Sequence, residues 1–108
     1  MALLTEAHKK RFAEIGTQWH EEDPIVVVKL ISNTKGVFWL FTDYIEHGNI
    51  AYGYVQGLPT TGDQGAWGYF MLDELEHLRL LPNGDRAKLD PNFKEMHLSE
   101  ALAQTDSE

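Results

Sequence analysis

The sequence predicts an α+β domain: an antiparallel four- to five-stranded meander packed against an N-terminal helix and a helix following strand four. Three observations carry this expectation. The segment Gly65-Ala66-Trp67-Gly68-Tyr69-Phe70-Met71-Leu72-Asp73-Glu74-Leu75-Glu76-His77-Leu78-Arg79 changes period in its middle. Up to Met71 it reads as a short aromatic strand; from about Asp73 it reads as a helix, with Met71, Leu75 and Leu78 on one apolar stripe. Upstream, apolar runs alternate with short polar turns, as in hairpin-linked strands. Finally, 108 residues make one domain, and a chain of that size buries roughly 60–70% of its unfolded surface.

Taken in order, Thr5 is an N-cap and Gly16 a C-terminal stop, which predicts a first helix over residues 5–15. Leu4, His8, Phe12, Ile15 and then Trp19 fall at helical spacing, His8 is expected as a half-buried packing residue, and Glu6–Lys10 forms an i, i+4 pair. His20-Glu21-Glu22-Asp23-Pro24 is a polar connector; four adjacent potential ligands rarely converge on one ion without a shaped loop. Ile25 to Ile31 is β-branched and almost wholly apolar, a strand covered on both faces. Its exception, Lys29, either snorkels to an edge or faces a carboxylate such as Asp43 or Glu46.

Asn33-Thr34-Lys35-Gly36 reads as a hairpin turn, Val37 to Ile45 as a central second strand, and Ile50 to Gly57 as a third. In the third strand Ile50, Tyr52 and Tyr54 alternate with Ala51, Gly53 and Val55; in the fourth, Trp67 and Tyr69 alternate with Gly68 and Phe70. The small-residue face suits close approach of a helix. Leu58 to Gly65 lacks periodicity and is expected as a mobile loop. Arg86 to Leu89 fits a short edge strand, and Ser99 to Leu102 the start of a last helical turn. The expected domain is residues 1–102, with 103–108 as a frayed tail.

Composition narrows the functional classes. With no cysteine there is no disulfide framework, thiolate nucleophile or Cys-type zinc site, which fits a cytoplasmic protein. The early charges Glu6, Lys9, Lys10 and Arg11 do not fit a signal peptide. The formal charge is −8, and its distribution is uneven: residues 1–50 hold five Lys/Arg against seven Asp/Glu, residues 51–108 four against ten. This disfavours direct binding to nucleic acid or an anionic membrane and is compatible with docking on a protein with a basic surface. The same charge also serves simple solubility. The glycines do not follow the phosphate-cradling pattern, and no cofactor is expected.

Several stretches together resemble a known family. Asp23-Pro24-Ile25-Val26-Val27-Val28-Lys29-Leu30, Trp39, Tyr52-Gly53-Tyr54-Val55-Gln56-Gly57-Leu58 and Gly68-Tyr69-Phe70-Met71-Leu72-Asp73-Glu74-Leu75-Glu76 look like a bacterial domain of unknown function, number 2958, over about Leu3 to Leu102. Two departures stand out: Met71 occupies a position where relatives usually carry Ser, and Asp85 to Phe93 differs from the usual tail. The first removes a hydroxyl cap from the second helix, which leaves Asp73 to supply a carboxylate. The resemblance implies short proteins carried on plasmids and other mobile elements, near genes that counter host restriction. It implies no catalytic residues.

Tyr52, Tyr54, Trp67 and Tyr69 fall on one side of adjacent strands, with Trp39 expected nearby, and these five are the candidate binding residues. Exposed, such a face could stack bases or receive a peptide; covered by a helix it is core, which the size of the chain favours. The leading expectation is a non-enzymatic interaction protein that binds a host protein, with DNA mimicry by the acidic second half as a variant. The rival is a small-ligand- or metal-dependent enzyme using the aromatic face with Lys29, Glu74 and His77. Glu74/His77 and His97/Glu100 share the Glu/His i, i+3 spacing of carboxylate di-metal halves, but such sites need further Glu residues on other helices. Ser32, Ser99 and Ser107 sit in no nucleophile elbow.

Overall fold

A computed structural model describes residues 3–33, 36–58, 64–77 and 86–106. In chain order the elements are α1 (Glu6–Ile15), β1 (Ile25–Val26), β2 (Val28–Ile31), β3 (Phe38–Ile45), β4 (Ile50–Gln56), β5 (Ala66–Met71), α2 (Leu72–His77), β6 (Lys88–Leu89), β7 (Met96–His97) and α3 (Leu98–Asp106). The antiparallel sheet has the order β5-β4-β3-β2-β6. Strands β2 to β5 form the meander, while β6 returns to the far edge beside β2. The predicted α+β architecture is therefore present, with two differences. The first strand breaks at Val27, and its leading half pairs with β7 rather than with the main sheet.

Helix α1 follows its local signals closely. Thr5 Oγ1 accepts the His8 N–H, and His8 Nδ1 accepts the Thr5 N–H, a capping box in which histidine takes the usual Glu/Gln role. Gly16 ends the helix at φ 80°, its N–H donating to the Phe12 carbonyl. Phe12 is buried, whereas Trp19 is 72% exposed and lies outside the helical stripe the spacing predicts. The chain changes direction at Gly16, so periodicity counted through it loses meaning. Glu6 pairs with Lys9 at 3.6 Å rather than with Lys10.

Two cores lie on opposite faces of the sheet. One joins Val28, Leu30, Trp39, Phe41, Ala51 and Val55 to Phe12 of α1 and to Leu72 and Leu75 of α2. Leu72, not Met71, carries the buried stripe of α2; Met71 is exposed, and Leu78 lies outside the described residues. Leu72 N–H donates to the Asn49 carbonyl, and Asp73 Oδ1 accepts from Asn49 Nδ2, so Asp73 binds the β3–β4 turn instead of capping its own helix. Asn49 reaches this position at φ 53°.

The second core joins Val26, Phe38 and Leu40 to Ala101 of α3, with Phe93, Met96, Leu98 and Leu102 around them. Helix α3 runs to Asp106, so the fraying expected from about Ala103 gives way to further helix. Its start is held from outside: Asp23 Oδ1 accepts the Ser99 N–H and Asp23 Oδ2 the Ser99 hydroxyl, at 2.8 and 2.7 Å. Those bonds keep the Asp23 carboxyl below the ordinary carboxylate range. A bidentate Arg11–Glu95 pair ties α1 to the segment before β7 and lowers the Glu95 pKa likewise. Thr34 and Lys35 of the predicted hairpin turn, and Pro59 to Asp63 of the loop expected to be mobile, lie outside the described residues.

Candidate functional site

The site begins with one extra residue in β3. Ile45 pairs with Ile50, Tyr44 with Ala51 and Asp43 with Tyr52, but Phe41 pairs with Gly53, leaving Thr42 as a bulge. A bulge shifts side-chain parity by one residue. Without it Trp39 would share the face of Tyr52 and Tyr54. With it Trp39 sits opposite Val55 and is fully buried in the α1/α2 core. The structure thus separates Trp39 from the other four candidate residues. Gly53 opposes the bulge, and a Cβ there would lie 2.0 Å from the Leu40 carbonyl oxygen. The glycine serves the β3 backbone, not a helix as the alternation suggested. At Gly68 a Cβ would meet only the Phe70 ring at 3.9 Å.

The bulge also anchors the connector after α1. Gln18 is buried; its amide donates to the Ile25 and Thr42 carbonyls and accepts the Ile25 N–H, at 2.8 to 2.9 Å. Gln18 N–H donates to Asp43 Oδ2 at 2.7 Å, and Thr42 Oγ1 donates to Asp43 Oδ1 at the same distance. A polar amide buried with its bonds satisfied fixes the chain on either side of it. Trp19, Glu21 and Glu22, next along the chain, are held above the sheet while remaining exposed.

Beneath them lies an aromatic ladder. Register places Tyr52 opposite Tyr69 and Tyr54 opposite Trp67 on β4 and β5. Tyr52 meets Trp67 at 5.7 Å in a stacked arrangement and Tyr69 at 4.8 Å; Tyr54 meets Trp67 edge-on at 5.8 Å. Such pairs stiffen one another. Trp67 is 43% and Tyr69 67% exposed, with Tyr52 and Tyr54 half-buried. Of the four, only Tyr54 packs against the core that holds Phe38 and Ala101, while Trp67 and Tyr69 are open to water. A cavity of about 210 Å³ opens between Trp19, Asp43, Tyr52 and Tyr69. A second, of about 370 Å³, opens between Trp19, Glu21, Glu22, Tyr52 and Trp67.

Lys29 and Glu74 of the rival enzymatic reading lie on opposite sides of the sheet. Lys29 is buried, with Nζ 5.7 Å from the Phe38 ring, while both Asp43 oxygens are engaged by Gln18 and Thr42. Glu74 lies exposed on α2, which packs against the opposite face of the sheet from the ladder. Of His77 the structure describes the helical backbone only. At the other Glu/His spacing, Glu100 Oε1 accepts the His97 backbone N–H at 3.4 Å, as a helix-start contact. Among the described residues no three His, Cys, Asp or Glu side chains converge as a metal site, and no helix is long and apolar enough to cross a membrane.

A family model described as protein of unknown function (DUF2958) matches residues 3–107. The chain belongs to the DUF2958 family. No curated protein and no solved structure matches it. The matched span takes in α1, the whole sheet and α3, so the DUF2958 domain here comprises both the sealed cores and the open ladder. Sequence reasoning missed Trp19, Glu21 and Glu22 as part of the site. The available signal was Gly16, which separates Trp19 from the helix and leaves a tryptophan in a polar connector without a packing role.

Proposed function

We propose that this DUF2958 protein is a non-enzymatic interaction protein, a mobile-element accessory factor that binds a basic surface of a host protein, in the cytoplasm, as a counter-defence device. One observation carries the reading: Tyr52, Tyr54, Trp67 and Tyr69 form a contiguous aromatic ladder whose Trp67 and Tyr69 are left in water. Large aromatic side chains dominate interface hot spots because they bury much area for little lost rotamer freedom. The acidic balance of the chain favours a basic protein surface and opposes a phosphate backbone. The mobile-element setting rests on the family resemblance alone.

The test is capture from host lysate by the wild-type protein and by the Trp67→Ala/Tyr69→Ala variant, at low and at high salt. The reading expects a defined protein retained by wild type, released by salt and lost from the double variant. A partner retained equally by the variant overturns the assignment to this face.

A further inference from the structure

We infer that the groove beside Trp19 is a receptor for a guanidinium group, so that the contact at this face is an arginine side chain of the partner. This rests on the proposed protein-binding reading and names its chemistry. The groove is lined by Trp19, Tyr52 and Trp67 together with Glu21 and Glu22, and none of its lining residues is Lys, Arg or His. At about 370 Å³ it stands at the lower end of the volumes that hold small molecules. That suits one inserted side chain.

The chemistry selects the group. A cation over the face of a tryptophan or tyrosine is attracted by the ring quadrupole. Guanidinium adds two things that ammonium lacks: it is planar, so it stacks, and its N–H groups fan out at the edge, where carboxylates receive them in pairs. Here three aromatic residues and two glutamates line the same groove. Glu22 has no hydrogen-bond or ion-pair partner among the described residues, and Glu21 meets only the exposed His20 ring at 3.6 Å. The receptor is also built in advance. Gln18, one residue before Trp19, is locked to Ile25, Thr42 and Asp43, so little order remains to be imposed on binding.

The test is titration of the full chain with N-acetyl-arginine amide, followed by the indole N–H resonances. The three tryptophans provide their own control, since Trp39 is fully buried in the other core. Trp19 and Trp67 signals should shift with half-saturation at about 1–20 mM while Trp39 stays fixed. The citrulline amide, flat but uncharged, should shift neither, and the lysine amide should bind more weakly. Trp19→Ala, at a mostly exposed position, should retain the fold and lose the response. Glu22→Gln should weaken binding about two- to fivefold. Equal binding of citrulline or lysine amide, or no shift at 100-fold excess over protein at any concentration up to about 100 mM, overturns the inference. If arginine amide fails while Trp67→Ala/Tyr69→Ala still abolishes lysate capture, the docking face stands without its guanidinium receptor. If arginine amide binds and nothing is captured, the receptor stands and the host-protein reading falls.

Discussion

Trp39 and Trp67 lie in the same sheet with one strand between theirs, yet one is sealed and the other meets solvent. Strands β3 and β5 both carry alternating aromatics, so the difference does not lie in their composition. It lies in what reaches each face. The Trp39 side is closed by α1, before the sheet, and by α2, which follows β5 directly. On the other side Ala101, Leu98 and Leu102 of α3 join Val26, Phe38 and Leu40 in a core that Tyr54 only partly enters. A face can thus be half core and half surface, with Tyr54 at the boundary.

Substitutions at the two tryptophans should give the largest contrast. Trp39→Ala should cost about 3–5 kcal/mol in denaturant unfolding, whereas Trp67→Ala should cost about 1 kcal/mol or less. Trp39→Phe should be milder than Trp39→Ala, because the phenyl ring fills more of the space and no bond is lost with Nε1, which has no hydrogen-bond partner among the described residues. Equal losses at the two sites would break the comparison.

The paired glycines sharpen it within one face. Gly53→Ala should destabilise by about 3 kcal/mol or more, since the added methyl meets immovable backbone. Gly68→Ala should fall within about 1 kcal/mol of wild type and could stabilise, because a Cβ fits and the unfolded chain loses freedom. Thermal unfolding of the two variants side by side decides it.

Acid should open the α3 side. Asp23 and Glu95 titrate below their ordinary values when folded, so on acidification the unfolded chain takes up protons first. The stability they supply is complete above about pH 4.5 and declines as pH falls through the folded values. Binding of a hydrophobic dye should therefore rise below about pH 4, and Asp23→Asn should raise it already at neutral pH. The smallest effect concerns His8, whose pKa burial lowers and whose neutral ring accepts the Thr5 N–H. Its contribution is complete above about pH 6.5 and declines below it. His8→Gln keeps an acceptor at that position and should flatten the pH dependence of helicity between about pH 5 and 7.

Much of this arrangement is legible in the chain. Thr5 and Gly16 bound α1 because capping is local chemistry, and the alternation of Tyr52, Tyr54, Trp67 and Tyr69 places them on one face because side-chain period in a strand is fixed. What escapes is nonlocal. Nothing near Trp39 announces that Thr42 will bulge, and the parity of every residue before it follows from that event. Nothing in Leu98 to Asp106 states how far a helix will extend across a sheet. Met71 and Leu72 exchange roles because Met71 is the last residue of β5 and the helix, with its buried stripe, starts at Leu72.

The Thr42 bulge makes β3 a counting device. Its residue count, more than its residue types, decides that Trp39 is stored in the α1/α2 core, and the Gln18 clamp is bonded at the same bulge. Across DUF2958 chains, a change of one residue between Trp39 and Ile45 would invert the molecule's inside and outside along that strand. Conservative exchanges of the same side chains would leave both in place.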